Sequence, residues 1–162
     1  MSSDRANVGR VFGPYDGDAY HFLNTLTINK ICAADTAGAF SVVDHRVPAG
    51  YSPPPHVHHG QDEAFYVIDG QWTIHCGDDT WTVGPGDLVF LPRDIPHGFE
   101  VSQDTPGRSL IIVAPGGFDE FVAALGEATD SRDLPVPVAP DPARIVALAA
   151  AHGITILPPP EG

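Results

Sequence analysis

Apolar and polar positions alternate with a period of two in a series of short runs between residues 23 and 114, rich in β-branched and aromatic residues. These runs cover residues 23–31 (LNTLTINKI), 40–47 (FSVVDHRV), 63–68 (EAFYVI), 71–76 (QWTIHC), 80–83 (TWTV), 87–92 (DLVFLP), 97–102 (HGFEVS) and 108–114 (RSLIIVA). A period of two places successive side chains on opposite faces of an extended strand, so each run predicts a strand with one face buried. The segments between them are built from turn-forming residues: DTAG, Asp69-Gly70, Gly77 to Asp79, GPGD and DTPG. Short strands at regular spacing with tight turns predict an all-β sandwich or barrel.

Beyond Pro115 the period changes. Phe118, Phe121, Val122 and Leu125 fall at i, i+3, i+4 and i+7, which predicts a short amphipathic helix over 117–125. LPVPVAP, residues 134–140, predicts an extended tether. Asp141 then stands as an N-cap with Pro142 at the first helical position, ARIVALAAAH supplies a second helix, and Gly153 supplies its stop. Two helices are too few to bury a core of their own. They are expected to pack on the outside of the β-domain and to carry no chemistry. The predicted organisation is an N-terminal arm (1–19), a β-barrel (20–115) and a C-terminal helical extension (116–162).

A chain of 162 residues suits a single domain that needs no disulfide staples. Its net charge of −13 argues against nucleic acid and anionic membrane surfaces as partners. No apolar run approaches the roughly 20 residues that span a bilayer, and the N-terminus lacks the apolar stretch of a signal peptide. A cytoplasmic protein is the simplest expectation, with Cys32 and Cys76 as reduced, ordinary residues.

The candidate chemistry sits in HVHHGQDEAFYVIDG, residues 56–70. His56 and His58 are two apart, so on an extended segment both imidazoles point to one side and His59 points to the other. Gly60 is suited to a turn that brings the Glu63 carboxylate back beside them, with Phe65 and Val67 on the face of Glu63. Two histidines and a carboxylate cover only one side of a metal ion, and His97, which opens the run HGFEVS, is the best candidate for a fourth ligand. His21, His45, His75 and His152 read as ordinary surface or core histidines.

The segment GYSPPPHVHHGQDEAFYVIDG, residues 50–70, resembles the first cupin motif, G-x5-H-x-H-x4-E-x6-G, at each defining position. GDLVFLPRDIPH, residues 86–97, resembles the second, G-x5-P-x-G-x2-H, with two departures: Asp94 stands where the family has glycine, and Val101 where an asparagine often follows the histidine. The resemblance implies a double-stranded β-helix, or jelly roll. It further implies that His56, His58, Glu63 and His97 ligate one divalent transition metal, and such a donor set suits Fe, Mn, Ni, Co, Cu or Zn.

The tail APGGFDEFVAALGEATDSRDLP, residues 114–135, resembles that of single-domain cupins similar to quercetin 2,3-dioxygenase. This implies ring-opening dioxygenation of a flavonol or related aromatic enol, with Glu63 as the catalytic proton acceptor and dioxygen as co-substrate. Tyr51, Phe65 and Phe99 are candidate walls of a pocket for a flat small-molecule substrate. Two other readings stay open: a metal-assisted isomerase or cyclase on a polyketide-like or small polar substrate, and a ligand-binding cupin without turnover. A homodimer is expected, as is common in cupins.

Overall fold

The structure is a computed structural model that describes residues 8–158. The first seven residues of the predicted N-terminal arm lie outside it. In chain order its elements are β1 (Asp18–Phe22), β2 (Thr25–Ile31), a 3-10 turn (Ala33–Thr36), β3 (Ser41–Val47), β4 (His56–His58), β5 (Asp62–Asp69), β6 (Trp72–Cys76) and β7 (Asp79–Val83). They continue with β8 (Leu88–Leu91), β9 (His97–Val101), β10 (Gly107–Ala114), α1 (Phe118–Leu125), β11 (Glu127–Thr129), α2 (Pro142–Ala151) and β12 (Ile154–Ile156). The strands form two antiparallel sheets. One has seven strands in the order β11-β1-β2-β3-β10-β5-β8, and the other five in the order β12-β4-β9-β6-β7.

The alternation in the sequence survives as alternation in burial. Along β10 every second residue is buried, and on β5 the buried set is Glu63, Phe65 and Val67. Those inner faces enclose a core in which Phe65, Trp72 and Phe99 pack ring against ring at centroid distances of 5.2–6.3 Å. Val43, Val67, Ile74, Leu91, Ile111 and Val113 fill the space around them. Close packing of this kind holds the strands in register and fixes where their ends point.

β2 departs from this rule. Thr27 pairs with His45 and Asn29 with Val43, so the threonine and asparagine share the inner face while Leu26 and Ile28 face outward. Leu26 and Ile28 are nevertheless buried, in a small cluster with Ala19. The residues before β1 are fastened beside it: the Lys30 ammonium donates to the carbonyls of Gly13 and Asp16 at 2.8 and 2.6 Å. On the same outer face Asp44 is fully buried between Arg46 and Arg108, whose closest nitrogens lie 3.1 and 2.8 Å from its Oδ2.

The run 23–31 predicts one strand, which forms as β2 from Thr25 onward, and β1 lies ahead of every predicted run. Leu23 and Asn24 take φ of +49° and +63°, which turns the chain and separates β1 from β2. The C-terminal part also differs from a purely helical extension. Its two helices form as predicted, with the Asp141 carboxylate accepting from the Arg144 amide at 3.2 Å. Between and after them, however, β11 joins the outer edge of β1, and β12 joins the outer edge of β4.

The helices are not inert packing on the outside. Phe121, Val122 and Leu125 of α1, with Ala149 of α2, form a second apolar cluster with Phe22 and Ile154. That cluster stands at one end of the barrel and walls a cavity.

Candidate metal centre

β4 and β9 are antiparallel neighbours, and His56 lies directly across from His97. The alternation along β4 puts His58 on the same side as His56. Gly60, at φ +76°, reverses the chain into β5, which delivers Glu63. Asp94, in the position where the cupin motif has glycine, adopts the glycine-like φ of +66° itself. Its amide donates to the His58 carbonyl at 2.9 Å and its carboxylate accepts from the Gly60 amide at 3.0 Å, so this departure from the motif ties the two turns together. His59 points away from the cluster, is exposed, and meets the Thr155 hydroxyl at 2.8 Å.

His56, His58, Glu63 and His97 thus converge, with one donor atom from each lying within 4.8 Å of the others. His58, Glu63 and His97 are buried, and His56 is partly so. The three rings stand 4.6–5.4 Å apart between centroids.

Each imidazole has an oxygen acceptor at Nδ1: the Pro54 carbonyl for His56 at 3.3 Å, the Gln61 side chain for His58 at 3.4 Å, and the Ile95 carbonyl for His97 at 3.2 Å. Gln61 is itself oriented by donating from its amide nitrogen to the carbonyls of Pro115 and Gly116. For His56 and His58 such acceptors favour the Nδ1–H form and leave the Nε2 lone pair free, whereas His97 also donates from Nε2 to Glu63 Oε2.

Two of those nitrogens face the same carboxylate oxygen. Glu63 Oε2 lies 3.0 Å from His97 Nε2 and 3.2 Å from His58 Nε2. The His58 nitrogen is fully buried and makes no hydrogen bond there. A proton satisfies the His97–Glu63 pair but leaves the buried His58 nitrogen facing the carboxylate with no partner. A divalent transition metal held by all four donors would satisfy the whole set.

The electrostatics divide the donors. Burial lowers the His97 imidazole, but the hydrogen bond and charge of Glu63 outweigh it and raise that group. Glu63 and His56 shift toward their ligating forms. Burial raises the Glu63 carboxyl, but the imidazoles of His58, His97 and His56 outweigh it and hold the group down at about 2. Burial, reinforced by His97 and His58, drops the His56 imidazole to about 3. Near neutrality the site therefore offers an ionised carboxylate and a deprotonated imidazole, the forms that ligate metal.

The cluster forms part of the wall of a cavity of about 660 Å³, reached by His56, His58 and Glu63. Its other walls are mostly apolar: Phe22, Phe65, Phe99 and Ile111 from the barrel, then Phe118, Phe121 and Ile145 from the helices. All three residues predicted as pocket walls touch this space. Tyr51 gives its hydroxyl to the Leu23 carbonyl at 2.8 Å and so leaves that group engaged. The tether 134–140 supplies part of the lining and is pinned by Asn24, whose side-chain amide makes paired 3.0 Å hydrogen bonds to the Val138 backbone. Further polar residues line it as well, among them His21 and His45, both of which read as ordinary histidines in the sequence.

Fold and cluster together define a small jelly-roll barrel whose convergent histidine and glutamate side chains open into an apolar cavity. Residues 43–113, the stretch that carries all four donors, match the family model described as "Cupin domain".

Over 121 residues it is 26% identical to quercetin 2,3-dioxygenase of Bacillus subtilis (strain 168). That match covers 74% of this chain and 36% of the relative, so the chain spans about a third of the relative's length. Among solved structures, the polyketide cyclase RemF from Streptomyces resistomycificus is 29% identical with a TM-score of 0.57, covering 67% of this chain and 80% of that one. KdgF from Halomonas sp. shares the fold at 18% identity and a TM-score of 0.61, covering 70% of this chain and 99% of that one. No helix among the described residues is long and apolar enough to cross a membrane.

Proposed function

We propose that this protein is a metal-dependent cupin enzyme in which His56, His58, Glu63 and His97 hold one divalent transition metal, and that it acts on a planar aromatic enol by dioxygenation. The observation that carries this reading is the setting of the donors. Three of the four reach an apolar, aromatic-walled cavity of about 660 Å³, a size that suits a small organic ligand. A closed structural site would have no use for such an approach. Similarity to a quercetin 2,3-dioxygenase supports a flavonol-like substrate.

The metal, when bound, would lower the pKa of the substrate's enol hydroxyl and hold the reactants together. The chain's own contributions follow from its geometry. Glu63, kept ionised by the surrounding imidazoles, is the acceptor for the enol proton. Phe65 and Phe99 flank a flat ring, and Tyr51 presents its ring with the hydroxyl already engaged. The tether adds Pro135, Val136 and Val138 to the apolar lining that faces the ligand.

The test is elemental analysis of the purified protein followed by flavonol turnover in an oxygen electrode. One equivalent of metal per chain and stoichiometric oxygen uptake are expected. Absence of bound metal would end the reading.

A second reading is favoured by the likeness to a polyketide cyclase at 29% identity. In that case the same cavity holds a polycyclic enol, Glu63 moves protons, and substrate is converted with no oxygen consumed.

A further inference from the structure

His45 is 5% exposed, lies in the cavity wall, and has no hydrogen-bond partner at either ring nitrogen. A buried imidazole with both nitrogens unmatched is uncommon, because a buried polar group left unpaired is destabilising. Its ring is held edge-on against Phe99 at a centroid distance of 5.9 Å, so packing fixes its position.

The strands beside it carry polar residues in the same row. Thr27 is its partner across β2 and Ser109 its partner across β10, and the Ser109 hydroxyl is also buried without a hydrogen bond. Thr27 instead meets Thr25. This is the row in which β2 turns its polar side chains inward. A purely structural core has little reason to place an imidazole and a hydroxyl side by side with their hydrogen-bonding capacity unused.

The row lies further along the barrel than the metal-type cluster, although the Glu63 charge still acts on the His45 ring. Glu63 shares a row with Val113 and Ser41, and His45 lies four residues further along β3. Four residues of strand are about 13 Å. That span is comparable to the length of a two- or three-ring aromatic molecule, and the intervening wall is made of Phe65, Ile111 and Phe99. Burial outweighs the fields of Glu63 and Asp44 and leaves the imidazole neutral near pH 7. It therefore offers one donor and one acceptor.

We infer that His45 is a specificity-determining residue that hydrogen-bonds a second polar group, a hydroxyl or carbonyl, at the end of the ligand remote from the enol. The ligand class is thereby narrowed to elongated aromatic enols that are polar at both ends. This rests on the proposed function for the position of the enol end, and on the geometry of β3 for the distal end.

The test is equilibrium binding without oxygen, followed by ligand fluorescence, to metal-loaded protein. The probes are 3-hydroxyflavone, which is apolar beyond its enol ketone, and its 4′-hydroxy and 7-hydroxy derivatives. In the wild-type protein one hydroxylated derivative is expected to bind about tenfold to a hundredfold more tightly than the parent. His45→Phe should abolish that gain and leave the parent's Kd within about twofold. His45→Gln, which keeps a donor and an acceptor, should restore part of it.

Equal affinities for all three probes in the wild type would overturn the assignment, as would a gain that His45→Phe leaves intact. Metal content and turnover are measured in parallel. A hydroxyl gain that depends on His45 in a protein that consumes no oxygen would remove the dioxygenase and keep the subsite. Oxygen-consuming turnover with no dependence on His45 would do the reverse.

Discussion

If His45 is truly dry and unpartnered, the protein should carry its signature in the pH dependence of stability. Burial lowers this imidazole from 6.5 to about 4, against the smaller opposing fields of Glu63 and Asp44. Below pH 6.5 the unfolded chain takes up a proton here, and the folded chain does not until about pH 4. The unfolded state thus binds more protons in that window, and stability falls as pH falls through it. The contribution is fully present above 6.5 and lost by about 4. At about 1.4 kcal/mol per pH unit it amounts to roughly 3 kcal/mol.

His45→Gln removes the titration and nothing else that ionises. Urea unfolding of both proteins, stripped of metal with a chelator, from pH 4 to 7.5 isolates the term, because Glu63 and the other histidines titrate in both. The stability of the wild type relative to the variant should drop by about 3 kcal/mol between pH 7 and pH 4. A relative stability constant to within about 0.5 kcal/mol would refute the reasoning and mean that His45 titrates as if in water.

Other outcomes follow from the site. His58→Ala and His97→Ala should each lose stoichiometric metal in elemental analysis, whereas His59→Ala should retain it, since His59 is exposed and bonded to Thr155. Gln61→Ala removes the acceptor that orients the His58 ring, and metal affinity measured by chelator competition should fall about tenfold to a hundredfold. Asp44→Ala leaves Arg46 and Arg108 facing each other without their shared carboxylate. It should be destabilising by about 3 kcal/mol, with a melting temperature lower by about 10 °C in calorimetry.

The strands lining the barrel are legible because each has one buried face, which writes a period of two into residues such as Glu63, Phe65 and Val67. The common side of His56 and His58 is legible from their spacing, and the full set with Glu63 and His97 from the resemblance to the two cupin motifs. β4, β11 and β12 are three residues each, too short for any period to register. β1 lies outside the predicted runs, and the turn joining it to β2 is hidden because Leu23 and Asn24 take left-handed φ without a glycine to announce it. The periodicity of α1 says that Phe118 and Phe121 face something apolar. It cannot say that this includes a cavity. Nor does any local pattern set His45 apart from the other histidines, because having no partner is a property of the packed structure.

The pairing of β12 with β4 gives the cluster a place in the history of the chain. The strand carrying His56 and His58 has β9 on one side, and its other side is closed only by residues 154–156, about a hundred positions later in synthesis. Until that segment emerges, the His56–His58 strand has a free edge, and the Leu157 amide has not yet reached the Pro55 carbonyl it meets at 2.8 Å. The last strand therefore acts as a seal, applied after the donors are in place, so that a nascent chain held before residue 154 should release captured metal faster than the finished one in a chelator chase.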